Sequence, residues 1–148
     1  MEGIDKIGIS AIHNINRLQN IEKKTANEVF KKKLEEIHQE SIREELKILY
    51  DEIESLTTKL KDTLFIEDLL EYKKKVREFL NITINNSHVF YRENSLDRRG
   101  RHRVYSLVKK VDNELDELTK DFLNIEKNRI RILQRLDDIK GLIVDILT

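Results

Sequence analysis

The stretch VYSLVKKVDNELDELTKDFLNIEKNRIRILQRLDDIKGLIVDIL, residues 104–147, decides the fold. Val104, Leu107, Val108, Val111, Leu115, Leu118, Phe122 and Ile125 recur every three or four residues. Ile132, Leu136, Ile139, Ile143 and Ile146 continue the stripe, and within it only Arg129 carries a charge. Such spacing puts the apolar side chains on one face of a helix, whereas a strand would alternate every second residue. One helix of this length would overhang its neighbours and leave apolar surface wet. The reading therefore favours two helices joined tightly between Asn124 and Arg129, with one kinked helix as the alternative.

Working toward the N-terminus, Thr25-Ala26-Asn27-Glu28 matches a capping box, in which each side chain satisfies an orphan backbone donor. A stripe of Phe30, Leu34, Ile37, Ile42, Leu46, Leu49, Ile53, Leu56 and Leu60 follows, shifting around the helix at the jump of five from Ile37 to Ile42. It predicts one helix of roughly 50 Å at the standard rise per residue. Thr63 reads as the N-cap of the next helix, with Glu67 and Asp68 at its positive end. That helix carries Ile66, Leu69, Leu70, Val76, Phe79, Leu80 and Thr83 on one side and fades near Phe90 or Tyr91. Residues 92–103 then read as the longest connection. Residues 1–24, with Ile4, Ile7, Ala11, Ile15 and Leu18 interrupted by Gly3 and Gly8, form a flexible or partner-docking arm. The predicted fold is all-α: an antiparallel bundle of four long helices over residues 25–148, or three if the last two are continuous.

Composition agrees. The 148 residues include no proline, which breaks helices, and only four glycines, while 38% are charged. With no cysteine, disulfides, thiolate catalysis and cysteine-bound metals are excluded. No run of about 18 apolar residues exists to span a membrane. The opening segment lacks the basic end and unbroken apolar stretch of a signal peptide, so a cytoplasmic location is expected. Net charge is zero, from 28 basic and 28 acidic side chains. Overall electrostatics therefore points to no particular partner.

Catalytic patterns are missing. Gly100 is the lone glycine between Gly8 and Gly141, which excludes a phosphate-binding P-loop. Glu35 and His38 make one Glu-x-x-His half-motif of the kind that di-iron bundles use. A second half is absent, so His38 reads as the edge of a core. Adjacent acids such as Asp137-Asp138 splay about 100° apart on a helix and read as solvated faces. The expectation is a protein that is not an enzyme and needs no cofactor.

Charge is nevertheless uneven. Residues 97–110 contain six cations against Asp97, a local excess of five, and Asp97 through Arg103 read DRRGRHR. Arg98, Arg99, Arg101 and Arg103 offer planar forks that match phosphate. Gly100 would let a loop approach a ligand closely, and Tyr105 would offer a stacking face, as would Tyr91. Three readings stay open. The arginines pin the bundle together, they grip phosphate or nucleic acid, or they meet an acidic protein.

The segments DRRGRHRVYSLVKKVDNELDELT, IKGLIVDILT and EYKKKVREFL resemble the YaaR-like proteins, small all-helical bacterial proteins with no established biochemical function. The likeness runs from about residue 25 to the end and is most specific from Arg98 to Tyr105. It implies a compact helical bundle in a bacterial cytoplasm and supplies no catalytic residues. Gly141, in one of these segments, reads as a site of close helix packing.

The leading expectation is a non-enzymatic binding or adaptor bundle that meets nucleic acid or another anionic partner through Arg98, Arg99, Gly100, Arg101, Arg103 and Tyr105. The alternative is a protein-interaction module acting through apolar helix faces and the N-terminal arm, including as a homodimer.

Overall fold

The computed structural model describes residues 2–87 and 98–148. Among them are four α-helices and no strand: α1 (Glu2–Thr63), α2 (Ile66–Asn85), α3 (Arg98–Asp121) and α4 (Ile125–Leu147). The chain divides into two units, residues 1–40 and residues 41–148, and α1 contributes to both. No described helix is long and apolar enough to cross a membrane.

The second unit is an antiparallel four-helix bundle, and cross-helix bonds set its order. Lys75 Nζ reaches Glu52 Oε2 at 3.1 Å from α2 to α1. Lys73 Nζ donates to Thr119 Oγ1 at 2.7 Å from α2 to α3. Arg135 Nη1 meets Glu114 Oε2 at 3.0 Å from α4 to α3, and Lys140 Nζ meets Glu54 Oε1 at 3.0 Å from α4 to α1. Each helix therefore has two antiparallel neighbours, and the ring is closed.

The core is the stripe predicted from spacing. Ile42, Leu46, Leu49, Ile53 and Leu60 of α1 are buried against Leu69, Val76, Phe79 and Leu80 of α2. All the predicted positions from Val104 to Phe122, and all those from Ile132 to Ile146, are buried too. The last two helices are separate, as favoured by length. One turn of 3-10 helix, Phe122–Asn124, joins them, and Asn124 Oδ1 accepts from Lys127 N at 3.3 Å to cap α4.

A charged cluster fixes that turn. Asp121 is buried, and its Oδ2 accepts from Arg135 Nε at 2.6 Å. Arg131 approaches the other oxygen at 3.9 Å, and Asn128 Nδ2 donates to the Asp121 carbonyl oxygen at 3.2 Å. Burial works against the Arg135 charge, but the hydrogen bonds to Asp121 and Glu114 outweigh it and raise its pKa.

Several local expectations are corrected. Thr25 lies inside α1, so its capping box does not start a helix; cap side chains matter only where backbone donors lack partners. Thr63 ends α1, and the N-cap position of α2 is Phe65, without a side-chain cap. The turn instead puts buried Leu64 at a positive φ of 52°. Thr63 Oγ1 accepts from Phe65 N at 3.4 Å and donates to Asp68 Oδ2 at 2.6 Å. That bond, with Lys59 beside it, holds the Asp68 carboxyl below its ordinary value despite its burial. Helix α2 ends at Asn85, and Asn86 bonds the Ile82 carbonyl oxygen through both its backbone N–H and its side-chain amide. The expected fade at Phe90 or Tyr91 lies outside the described residues.

Burial shows further differences. Phe30, Leu34 and Ile37 are exposed, as are Ile66 and Leu70. Leu69 faces the core, so its neighbour Leu70 turns about 100° away from it. Tyr72, which periodicity did not single out, is fully buried, and its hydroxyl makes no hydrogen bond of ordinary geometry. Burial pushes that hydroxyl's pKa up. Gly141 is exposed, and a Cβ there would meet nothing within 4 Å, so close packing is not its role.

Two stability predictions follow from this packing. Gly141→Ala should raise stability by about 1 kcal/mol in urea unfolding, since the helix gains propensity and nothing clashes. Arg135→Met should lower it by about 3 kcal/mol, because buried Asp121 loses its main partner. A loss within experimental error would show that the cluster does not hold the turn.

Candidate functional site

The arginine stretch is helical. Helix α3 starts at Arg98, so Gly100 sits in its first turn with no positive φ and shapes no loop. Arg99, Arg101, His102 and Arg103 are exposed on the first two turns, while the side chain of Arg98 lies outside the described set. Tyr91 and Asp97 lie outside the described residues as well.

This arrangement runs against helix electrostatics. Unpaired backbone N–H groups make a helix N-terminus positive, so acids are favoured there and cations are disfavoured. The first turn of α3 has no acid, and none occurs from Arg98 to Val111. Helix propensity and the dipole give no reason for six cations in that span.

The four arginines do not share one role. Arg103 Nη2 donates to the Asp145 carbonyl oxygen at 3.2 Å, close to the end of α4. It thereby satisfies a carbonyl of the last turn and ties α3 to α4, which is the pinning role for this residue. Arg99 makes no ion pair with another described residue, nor do Lys109 and Lys110.

Helical spacing sorts the rest. Arg101, Tyr105 and Lys109 are four residues apart, so they form one row along α3. Tyr105 and Lys109 border a cleft of about 430 Å³ between α2 and α3. Buried Leu80 and Val108 make its floor, and half-exposed Ile84 stands on the α2 side. Arg77 and Asn81 of α2 complete the rim, with Asp112 of α3. Arg77 holds Asp116 loosely at 3.9 Å, and its side chain is 53% exposed, which leaves it accessible to another anion.

The cleft therefore combines an apolar floor, an aromatic face and cations on both walls. Sequence reading found Tyr105 but missed Arg77, Asn81, Ile84 and Lys109 as its companions. The available signal was the row 77, 81, 84 on α2, beside the core stripe, although pairing it with α3 needs the tertiary fold.

Glu35 and His38 are both exposed on α1. Among the described residues, no group of three or more histidine and acidic side chains is placed to hold a metal ion.

A family model described as a protein of unknown function, DUF327, matches residues 7–147. The chain belongs to the DUF327 family. It is 29% identical over 119 residues to the uncharacterized protein YaaR of Bacillus subtilis (strain 168), an alignment covering 80% of this chain and 82% of that protein. No solved structure matches. The YaaR-like resemblance seen in the sequence is thus borne out. The DUF327 match also begins earlier than the motifs suggested, at residue 7, and so takes in most of the segment expected to be a separate arm.

Proposed function

We propose that this DUF327 protein is a non-enzymatic cytoplasmic binding module that engages single-stranded nucleic acid at the start of α3 and the adjoining α2–α3 cleft. The observation that carries this reading is the cleft itself, which Tyr105, Arg77 and Lys109 line together with the apolar Leu80 and Val108. A base stacks on an aromatic face while its flanking phosphates are met by cations, and stacking of this kind tolerates any sequence. Arg99 and Arg101 extend the positive track toward the first turn of α3. There the free N–H groups add to the attraction for phosphate. Asn81 and Asp112 provide polar groups for a base edge. Arg103 contributes less, since its guanidinium already serves the end of α4. Gly100 lies in the same first turn and leaves the backbone there uncovered by a side chain.

An acidic protein would use the cations but would have little use for an apolar cleft beside a tyrosine. That difference favours nucleic acid.

Titration of labelled single-stranded RNA at several salt concentrations tests the proposal. With four phosphates met by Arg77, Arg99, Arg101 and Lys109, log affinity should fall with log salt at a slope of about −3. Tyr105→Ala should weaken binding about tenfold or more with the slope unchanged, and Arg99→Ala with Lys109→Ala should flatten the slope by about 1.4. Folding of each variant is checked by thermal unfolding. Negligible binding at low salt, or binding that these variants leave intact, would contradict the reading.

A further inference from the structure

In the first unit, every residue from Lys23 to His38 is exposed. An isolated helix in water is marginal, and helices in proteins are held mainly by covering an apolar face. This one has such a face. Phe30, Leu34 and Ile37 fall at spacings of four and three, with Val29 beside them, and they are 50–63% exposed.

Charges around the stripe show what would cover it. On the N-terminal side of Leu34 stand Lys23, Lys24, Lys31, Lys32 and Lys33 against Glu28, a net charge of +4 (five minus one) over residues 23–33. On the C-terminal side, residues 35–40 carry Glu35, Glu36 and Glu40, a net formal charge of −3. The pattern is inverted about the middle of the apolar stripe. A two-fold axis near Leu34 would set Lys31–Lys33 against the acidic residues that begin at Glu35 and lay apolar residue on apolar residue. That is the self-complementarity of an isologous interface, in which one surface meets itself. Parallel pairing in register would oppose lysines to lysines and glutamates to glutamates. A partner of a different kind gives no reason for charge inversion about the stripe's own centre.

We propose that residues 28–40 of α1 pair antiparallel with the same residues of a second copy of this chain, making a homodimer. Leu34 lies near the axis, and Phe30 packs toward the partner's Ile37. Lys31 to Lys33 face the acidic residues 35–40 of the partner. The site is separate from the α2–α3 cleft, and the inference does not depend on nucleic-acid binding.

Sedimentation equilibrium of the full chain, up to about 100 μM protein, tests this, since even weak contacts register in that range. The expected mass is 35.4 kDa, twice 17.7 kDa, with dissociation as salt rises. Leu34→Glu should be monomeric at the same concentration, with thermal unfolding of the bundle unchanged because the side chain is exposed. Two charge-reversal variants probe direction. Changing Lys31, Lys32 and Lys33 to Glu, or Glu35, Glu36 and Glu40 to Lys, should abolish the dimer in each variant alone, and an equimolar mixture should restore it to about wild-type affinity. A wild-type chain that stays monomeric throughout would overturn the proposal, as would a dimer that survives Leu34→Glu. A mixture more than about tenfold tighter than wild type would also overturn it, because only parallel pairing opposes like charges in the wild type.

Discussion

The bond from Arg135 to Asp121 is the constraint on which the C-terminal half of the bundle depends. Asp121 is the last residue of α3, and its side chain is only 5% exposed, so its charge needs a partner. Arg135, nearly three turns into α4, supplies one and bonds Glu114 with the same guanidinium. This guanidinium sets the register in which α4 returns along α3. At the far end of the pair, Arg103 meets the last turn of α4. Between the two arginines the apolar stripe closes on itself, and the outer surface of α3 is left facing water. Of the exposed cations in its first turns, Arg103 ties α3 to α4, whereas Arg99 makes no ion pair with another described residue.

That separation has an energetic meaning. Core positions in this bundle are filled by Leu, Ile, Val and Phe in ordinary helical register, with local electrostatics and packing pointing to the same fold. The start of α3 departs from that agreement. Cations there oppose the helix dipole and repel one another, and no acid lies among them on α3. The helix dipole does not favour such an arrangement. The exposed stripe of residues 29–37 departs in a second way, since it leaves large apolar side chains in water. Both departures lie on surfaces.

What was legible in the sequence was periodicity. The stripe of residues 104–147 gave the helical class, the core of α3 and α4, and the break near Asn124, because heptad-like spacing directly reports which side chains share a face. Whether that face is covered is a tertiary matter. Phe30, Leu34 and Ile37 lead into Ile42 and Leu46 across one jump of five, where the stripe shifts around the helix, and the first three are exposed and the last two buried. Local motifs were similarly blind to context. Thr25 to Glu28 spells a cap within a helix that needs none, and Gly100 suggests a loop where the backbone is helical. Leu64 takes the left-handed turn position where glycine would be the usual signal, so nothing in the sequence marked that turn precisely at its residue. Buried Asp121 was missed for a related reason, since a charged side chain enters a core only where particular neighbours accept it, and Tyr72 was missed although its large ring fills the core. The candidate site was half visible. Its cations and Tyr105 sit in one stretch, but Arg77 and Ile84 come from α2 and join it only through the fold.

The most direct test of the central claim is where an oligonucleotide touches the protein. Amide and side-chain chemical shifts of the full chain, followed on adding a short single-stranded RNA at low salt, give that footprint. The account predicts shifts at Arg77, Ile84, Tyr105 and Lys109, running on to Arg99 and Arg101, with buried Leu118 and Ile132 unmoved. Shifts confined to Lys31–Lys33, the other exposed run of cations, or no shifts at all, would contradict it.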